Sequence, residues 1–149
     1  MIRTAVAVWK GSPVIGEGLV STSSGVITNA LYAAAGSSEG DEPCTSPSEM
    51  LAAAVASCMS LMLARETSRA GLKPDQVKTE AVLNVDQKRG YWEITKIEVH
   101  VTAILPEMNE EAFQKASRNA KEHCLISRAL RIPISMTTKL ESNHAAFIA

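Results

Sequence analysis

The sequence predicts an α+β fold in a single domain that spans residues 1–149. Three observations predict it: an uncharged helical segment near the middle of the chain, a following pair of segments with alternating apolar and polar residues, and a second amphipathic helical segment after them. A chain of this length buries about two thirds of its unfolded surface in one core. No second core is therefore needed.

The N-terminal part predicts a meander of short strands. Residues 3–9 and 17–28 are rich in β-favouring residues and are interrupted by glycines and Pro13. Residues 30–45 combine an Ala-rich start with a Gly, Ser and acidic cluster. That composition predicts a loop leading into the first helix.

Residues 46–69 predict the central helix. Ser46 can cap it, Pro47 suits the first helical position, and Glu49 can bond back to the cap residue as a capping box. Residues 50–64 carry no charge, so we expect other elements to cover the helix on nearly every side. This uncharged stretch is shorter than the roughly 20 residues that cross a bilayer, which argues against a membrane span.

The second half of the chain predicts a hairpin, a second helix and a last strand. Asn109 can cap the second helix, Cys124 falls at the end of its apolar face, and Pro133 restricts the last strand, within residues 132–140, to a sheet edge or a strand start. A turn at residues 88–90 separates the two hairpin strands. Their apolar positions have period two, at Val77, Ala81, Leu83 and Val85, and then at Ile97, Val99, Val101 and Ala103.

Composition narrows the function classes. Fifteen basic and sixteen acidic residues leave a net charge of -1, and no basic run with interleaved aromatic residues marks a nucleic-acid surface. The N-terminus lacks the apolar core of a secretory signal, so we expect a cytoplasmic protein. The three cysteines are too few for a disulfide scaffold.

Cys58 and Cys124 lie on the apolar faces of the two predicted helices. If the helices bring their Cα atoms within about 4.4–6.8 Å, one thiol can attack an oxidant and the other can resolve the product. Spacing alone favours the simpler interpretation, that both are small core residues. We interpret Cys44 as an incidental loop cysteine. The alternative is that it acts as a second possible resolving thiol. A zinc site is not predicted, because these cysteines and His123 lack C-x-x-C spacing.

The motif SPSEMLAAAVASC, followed much later by HCLISRAL, resembles the two cysteine motifs of the OsmC/Ohr family, the osmotically induced protein C and organic hydroperoxide resistance proteins. The predicted order of elements is similar across nearly the whole chain, and the start VWKGSPVIGEGLVSTSSGVI is more similar to the OsmC branch. The resemblance implies a thiol-dependent peroxidase for organic hydroperoxides or hydrogen peroxide. Cys58 would be the peroxidatic and Cys124 the resolving cysteine.

The resemblance also implies the partners of this peroxidase. These are an external dithiol reductant such as a dihydrolipoyl group and a second copy of the chain in an intertwined homodimer, with no metal, flavin or other cofactor. Glu49 matches the family's acidic residue before the cysteine helix, although the capping box accounts for it equally well. Nine residues place Glu49 and Cys58 on opposite sides of one helix and about 13.5 Å apart along it. Any assistance to Cys58 would therefore come from the second subunit.

Two departures from the family pattern bear on activity. Residues 30–45 contain no Arg or Lys where the OsmC branch places an Arg near the thiolate, and Leu125 stands where the family commonly has Pro. Cys58 lies about three turns inside its helix, so a positive side chain is needed to lower its pKa. The missing Arg favours an alternative, a non-catalytic protein of the same fold that binds an apolar small molecule. The candidate replacement cations are Arg3, Lys10, Arg65, His123 and Arg128.

Overall fold

The computed structural model describes residues 1–33 and 43–141. The chain divides into two compact units, Met1–Leu51 and Ala52–Ala149, and three-stranded sheets of order β1-β2-β3 and β4-β5-β6 form within it. The mixed helix and strand content confirms the α+β class, while the single domain stays a prediction. The elements in chain order are β1 Ala5–Lys10, β2 Glu17–Thr22, β3 Ala30–Tyr32, α1 Pro47–Arg69, β4 Gln76–Lys88, β5 Tyr91–Ile104, α2 Glu110–His123, α3 Leu125–Ala129 and β6 Ile134–Glu141.

The sheet of the first unit is antiparallel throughout. Its second strand ends at Thr22 and is followed by a tight turn, in which Gly25 adopts a φ of 74° and Thr22 N–H donates to Ile27 O at 2.9 Å. The third strand falls within the predicted loop, and the exchange of backbone hydrogen bonds between residues 31–33 and Thr45 holds it. The rest of that predicted loop, residues 34–42, lies outside the described residues.

Large apolar side chains of this first sheet remain exposed. Val6, Val8 and Leu19 are 66%, 52% and 42% exposed. The two aromatic residues of the sheet pack on each other, with the ring centroids of Trp9 and Tyr32 5.6 Å apart. The first unit therefore places few of its apolar side chains in a core.

The predicted capping box is present at the start of α1. Glu49 N–H donates to Ser46 Oγ at 3.2 Å, and Ser46 N–H donates to Glu49 Oε2 at 3.0 Å. Thr45 Oγ1 donates to the same carboxylate oxygen at 3.1 Å. The Glu49 side chain is thus engaged in organising the helix start.

The expectation that α1 is covered on nearly every side is wrong for the chain taken alone. A single stripe of apolar side chains is fully buried, at Val55, Met59 and Leu63. The reason is that the described residues of the second unit supply one layer of sheet and helix against α1. Elsewhere on the helix Leu61 is 70% exposed.

By length and composition alone, α1 is long and apolar enough to cross a membrane, with a mean hydropathy of 1.4 over its most apolar 18-residue window. Core helices of soluble proteins meet the same criterion. The buried stripe of α1 belongs to a core cluster with residues of β5 and α2, and Ser60 Oγ donates to Thr79 Oγ1 of β4 at 2.7 Å. These contacts place one face of α1 against the core of the second unit.

The predicted hairpin is present as β4 and β5. Its two-residue turn has positive φ at both Arg89 and Gly90, 51° and 84°, which suits the twist of an antiparallel pair. The alternating apolar residues of β5 are buried as predicted, at Ile97, Val99, Val101 and Ala103. On β4, Val85 is an exception to the predicted burial of the alternating apolar residues, because 40% of its surface is exposed.

A β-bulge lies beside Val85. The register passes from Asn84 opposite Lys96 to Val85 opposite Ile94, so Thr95 is an extra residue on β5. Thr95 Oγ1 donates to Asp86 Oδ2 at 2.8 Å across the strands. Because of the inserted residue, the core-facing positions of β5 pass from Ile97 to Ile94, three residues away instead of two.

The second helical segment returns the chain to the sheet edge. Ala112 N–H donates to Asn109 Oδ1 at 2.8 Å, which confirms the predicted cap. The segment is broken at Cys124 into α2 and the short α3. β6 begins directly after Pro133 and lies parallel to β5 at the edge of the sheet, as the proline predicted.

Candidate active site: a pair of thiols

The second unit brings Cys58 and Cys124 together. Cys58 borders the buried stripe of α1 and is half-buried, whereas Cys124 is fully buried at the junction of α2 and α3. The two thiols are close enough that each is among the groups that change the pKa of the other. Residues 66 positions apart in the sequence therefore form one chemical unit.

Cys124 owes its place to the break between the helices. Its backbone is extended, at φ -63° and ψ 114°, so α2 stops there. Its carbonyl then accepts the Arg128 N–H at 3.0 Å, which starts α3. The first amides of a helix have no acceptor within that helix. The amides of α3 that follow Cys124 are therefore free to donate to the sulfur atoms.

These amides act on both thiols. The backbone N–H groups of Leu125 and Ile126 favour the thiolate of Cys58, and those of Ile126 and Ser127 favour the thiolate of Cys124. Leu125 is the position at which a proline was expected, and proline has no N–H group. This departure from the family pattern gives the chain an additional donor to Cys58.

The pKa of Cys58 is nevertheless raised. Burial is the largest cause, and the neighbouring Cys124 raises the pKa further through a hydrogen bond and through its charge. The amides of Ile126 and Leu125 act in the opposite direction and do not overcome these effects. Cys58 is thus the thiol that keeps its proton.

The pKa of Cys124 is lowered instead. Burial raises this pKa, but hydrogen bonds from the side chain of Ser127, from Cys58 and from the backbone outweigh burial. Within the reduced pair, Cys58 therefore holds its proton more tightly than Cys124 does.

Ser127 was missed by the sequence reasoning. Its Oγ is buried, and among the groups that lower the pKa of Cys124 its side chain has the largest effect. The available signal was its spacing, because a Ser three residues after a helix-starting residue lies beside that residue's side chain. The sequence did not reveal that a second helix starts at Cys124.

Arg65, His123 and Arg128 of the second unit are all exposed, and none of them is among the causes of the pKa shift of Cys58 within one chain. Arg3 and Lys10 belong to the first unit. For all five candidate cations the activating role stays a prediction. The same holds for the catalytic role of Glu49 and for the incidental role of Cys44, which is half-buried with a free thiol.

No group of three or more His, Cys, Asp or Glu side chains suited to a metal ion occurs in the two described ranges. The chemistry considered for this site is that of its two sulfur atoms. Adjacent thiols on separate elements can pass between a dithiol and a disulfide. The half-buried sulfur is the one that a small molecule can reach.

Comparison with known proteins places this geometry in a family. The family model described as OsmC-like protein matches residues 39–139. Peroxiredoxin OsmC of Escherichia coli is 32% identical over 134 residues, covering 90% of this chain and 93% of the relative.

Solved structures show the same fold. An OsmC-like protein from Mycoplasma pneumoniae superposes with a TM-score of 0.77 at 12% identity, covering 94% of this chain and 97% of that one. The organic hydroperoxide resistance protein OhrB of Bacillus subtilis does so with a TM-score of 0.61 at 21% identity, covering 93% and 98%. The chain belongs to the OsmC-like family.

Proposed function

We propose that the protein is a cysteine-based peroxidase that reduces organic hydroperoxides, with hydrogen peroxide as a second substrate. The observation that carries the proposal is the proximity of the Cys58 and Cys124 thiols, each of which changes the pKa of the other; Cys58 is half-buried and Cys124 is fully buried. The name of the Escherichia coli relative, a peroxiredoxin, supports the same reaction class.

The proposed cycle has three balanced steps. The Cys58 thiolate attacks one peroxide oxygen, the O–O bond breaks, and the alkoxide takes a proton and leaves as an alcohol while Cys58 becomes a sulfenic acid. The Cys124 sulfur then displaces the hydroxyl group, which leaves as water, and the disulfide forms. An external dithiol, such as a dihydrolipoyl group, reduces the disulfide by thiol exchange and is itself oxidised to a disulfide.

The amides that follow Cys124 support the last two steps of this cycle. In the condensation step Cys124 is the attacking sulfur, and its lowered pKa increases the fraction present as thiolate. In the reduction step a thiol with a lower pKa leaves faster, so an external dithiol that attacks Cys58 releases Cys124 readily. The site therefore favours resolution and recycling.

The first step requires a Cys58 thiolate, and its raised pKa limits that species. We propose that a second copy of the chain completes the site as a homodimer. The exposed Leu61 of α1 supports this, and so, separately, do the exposed apolar side chains of the first sheet, since groups of exposed apolar side chains mark interaction surfaces. A partner cation would then lower the pKa of Cys58, and the partner's Glu49 would act by holding that cation rather than by contacting the thiolate itself. We place the working protein in the cytoplasm, without nucleic acid or membrane partners.

A second candidate function rests on the same pKa. If Cys58 keeps its proton at neutral pH, the chain is a non-catalytic member of the family that binds an apolar small molecule, with both cysteines as packing residues. The raised pKa of Cys58 favours this alternative. Peroxide turnover distinguishes the two functions directly.

The first experiment measures consumption of cumene hydroperoxide and of hydrogen peroxide with dihydrolipoamide as the reductant. Peroxidase activity predicts turnover by the unaltered chain, loss of turnover in Cys58→Ser, and a single oxidation without recycling in Cys124→Ser. Cys44→Ser is the matched control and should retain activity. Equal consumption by the unaltered chain and Cys58→Ser would establish the non-catalytic function.

A second experiment tests the amide donors. Leu125→Pro removes one N–H group from Cys58, and the extended backbone of Cys124 is compatible with a following proline. Leu125→Ala keeps the amide, and the side chain it removes is 71% exposed. Alkylation of Cys58 by iodoacetamide should slow by roughly three- to tenfold in the proline variant alone. Equal rates in both variants would show that the amide does not act on the sulfur.

A further inference from the structure

A surface pocket lies at the α2–α3 junction, and neither Cys58 nor Cys124 is among the residues that line it. Its volume is about 430 Å³, within the range of small-molecule sites. α2, α3 and the start of β6 all contribute to it, so the pocket lies entirely within the second unit. Three of its lining residues are cations, namely Arg118, Lys121 and Arg128.

The three cations are available to a ligand. None of them forms an ion pair within residues 1–33 and 43–141, where the salt bridges are Arg69–Glu66, Lys96–Glu98 and Lys139–Glu141. Glu122 is the single acidic residue of the lining, so the pocket keeps an excess of positive charge. Two arginines offer planar pairs of N–H donors that match the oxygens of a carboxylate or a phosphate.

The remaining lining is apolar or nearly so. Ile132 and Ile134 stand two residues apart and therefore face the same side of the extended chain that enters β6. Both side chains also pack against the hydrophobic core, which fixes their positions. A ligand that bridges this floor and the cations needs an apolar part as well as an oxyanion.

We infer that this pocket binds a small organic anion, a carboxylate or phosphate group attached to an apolar chain. Arg118 and Arg128 hold the oxyanion with help from Lys121, and the two isoleucines contact the apolar part. Ser127 also lines the pocket, and its side chain acts on Cys124. Ser127 thus lies between the anion pocket and the thiol pair.

The experiment follows backbone amide shifts of the reduced, unaltered chain by NMR while hexyl phosphate, hexanoate or inorganic phosphate is added. Hexyltrimethylammonium is the probe of opposite charge. We expect saturable shifts centred on Lys121, Ser127 and Ile132 with hexyl phosphate and with hexanoate, weaker binding of inorganic phosphate, and no response to the cation. No peroxide is present, so the outcome is independent of the proposed peroxidase activity.

Matched variants assign the contacts. Arg118→Gln and Arg128→Gln should each weaken hexyl phosphate binding by roughly tenfold, because each removes a charge-assisted hydrogen bond. Lys115→Gln removes an exposed cation of α2 that does not line the pocket, and should leave affinity unchanged. Equal weakening by all three variants, or equal binding of the ammonium probe, would overturn the assignment. Inorganic phosphate binding as tightly as hexyl phosphate would overturn the role of the isoleucines.

Discussion

The two three-stranded sheets differ in how far the chain covers their apolar side chains. In the second sheet Ile97, Val99 and Val101 are at most 3% exposed, because α1 and α2 contribute to one core cluster with them. In the first sheet Val6 and Val8 keep more than half of their surface exposed. The comparison shows that a pattern of apolar residues identifies a face to be covered, but does not tell whether the same chain covers it.

The largest effect on stability should come from a residue in the core that covers the second sheet. Phe113 of α2 is fully buried in the core cluster, so Phe113→Ala should lower the free energy of unfolding by about 3–5 kcal/mol through lost transfer energy and a residual cavity. Urea unfolding followed by circular dichroism measures it. A loss of less than about 1 kcal/mol would mean that the core is far less tightly packed than the structure shows.

One substitution in each unit tests whether the two units unfold together. Asn109→Ala removes a helix cap in the second unit and should cost about 1 kcal/mol, and Val20→Ala removes a buried apolar side chain in the first unit and should cost about 1–2 kcal/mol. Asn109→Asp keeps an acceptor oxygen and should be close to neutral. In a single cooperative transition both alanine variants shift the same urea midpoint. Two separate midpoints, each moved by a single variant, would show that the units unfold independently.

Val8 tests what covers the first sheet. In the chain alone Val8→Thr should change the free energy of unfolding by no more than about 0.5 kcal/mol, because the side chain is 52% exposed. If a second copy covers the sheet, as proposed, the cost should increase with protein concentration, since association stabilises the folded state by mass action. Thermal unfolding over a wide concentration range measures this. If the loss of stability in Val8→Thr does not depend on protein concentration, the first sheet is not the surface through which two copies associate.

The smallest effect concerns acid stability on the exposed side of the second sheet. Lys96 donates a hydrogen bond to Glu98 at 2.6 Å and Asn84 donates one at 3.1 Å, and these bonds hold the pKa of Glu98 below its ordinary value. A lowered folded pKa stabilises the fold above the unfolded pKa, and this stabilisation is lost as the pH falls through the folded pKa.

Glu98→Gln should therefore be slightly less stable than the unaltered chain at neutral pH, and the difference should vanish at acidic pH. Urea unfolding at several pH values measures the difference. Glu93→Gln, on the same strand at an exposed position, is the control. A difference that persists at acid pH would assign the effect to something other than the charge of Glu98.

Much of the fold from α1 onwards was predictable because its signals are local. The caps at Ser46 and Asn109 and the turn at residues 88–90 each depend on a few neighbouring residues, and all three were confirmed. The order of elements predicted from such signals also agreed with the family resemblance. The extra residue at Thr95 was not predictable, since a bulge depends on the pairing of two distant segments rather than on the composition of either one.

The candidate site was predicted in part. Cys58 and Cys124 were singled out by residue type and by the resemblance, and the structure brings them together. The amides that favour their thiolates were not foreseen, because backbone donors leave no mark in a sequence and depend on where one helix stops. The helix break at Cys124 is itself a tertiary feature, as the helical spacing of apolar residues runs up to it without interruption.

The proximity of the two thiols also affects how the chain can be joined covalently. A disulfide there would turn residues 58–124 into a closed covalent ring that contains the exposed hairpin turn at Arg89 and Gly90. Such a ring restricts the unfolded chain by roughly 4 kcal/mol in the loop-entropy description. A protease that cuts the turn would leave the oxidised protein as one covalently joined molecule and would split the reduced protein into two pieces. Gel mobility of the nicked chain would then directly reveal whether the molecule had last met an oxidant or a reductant.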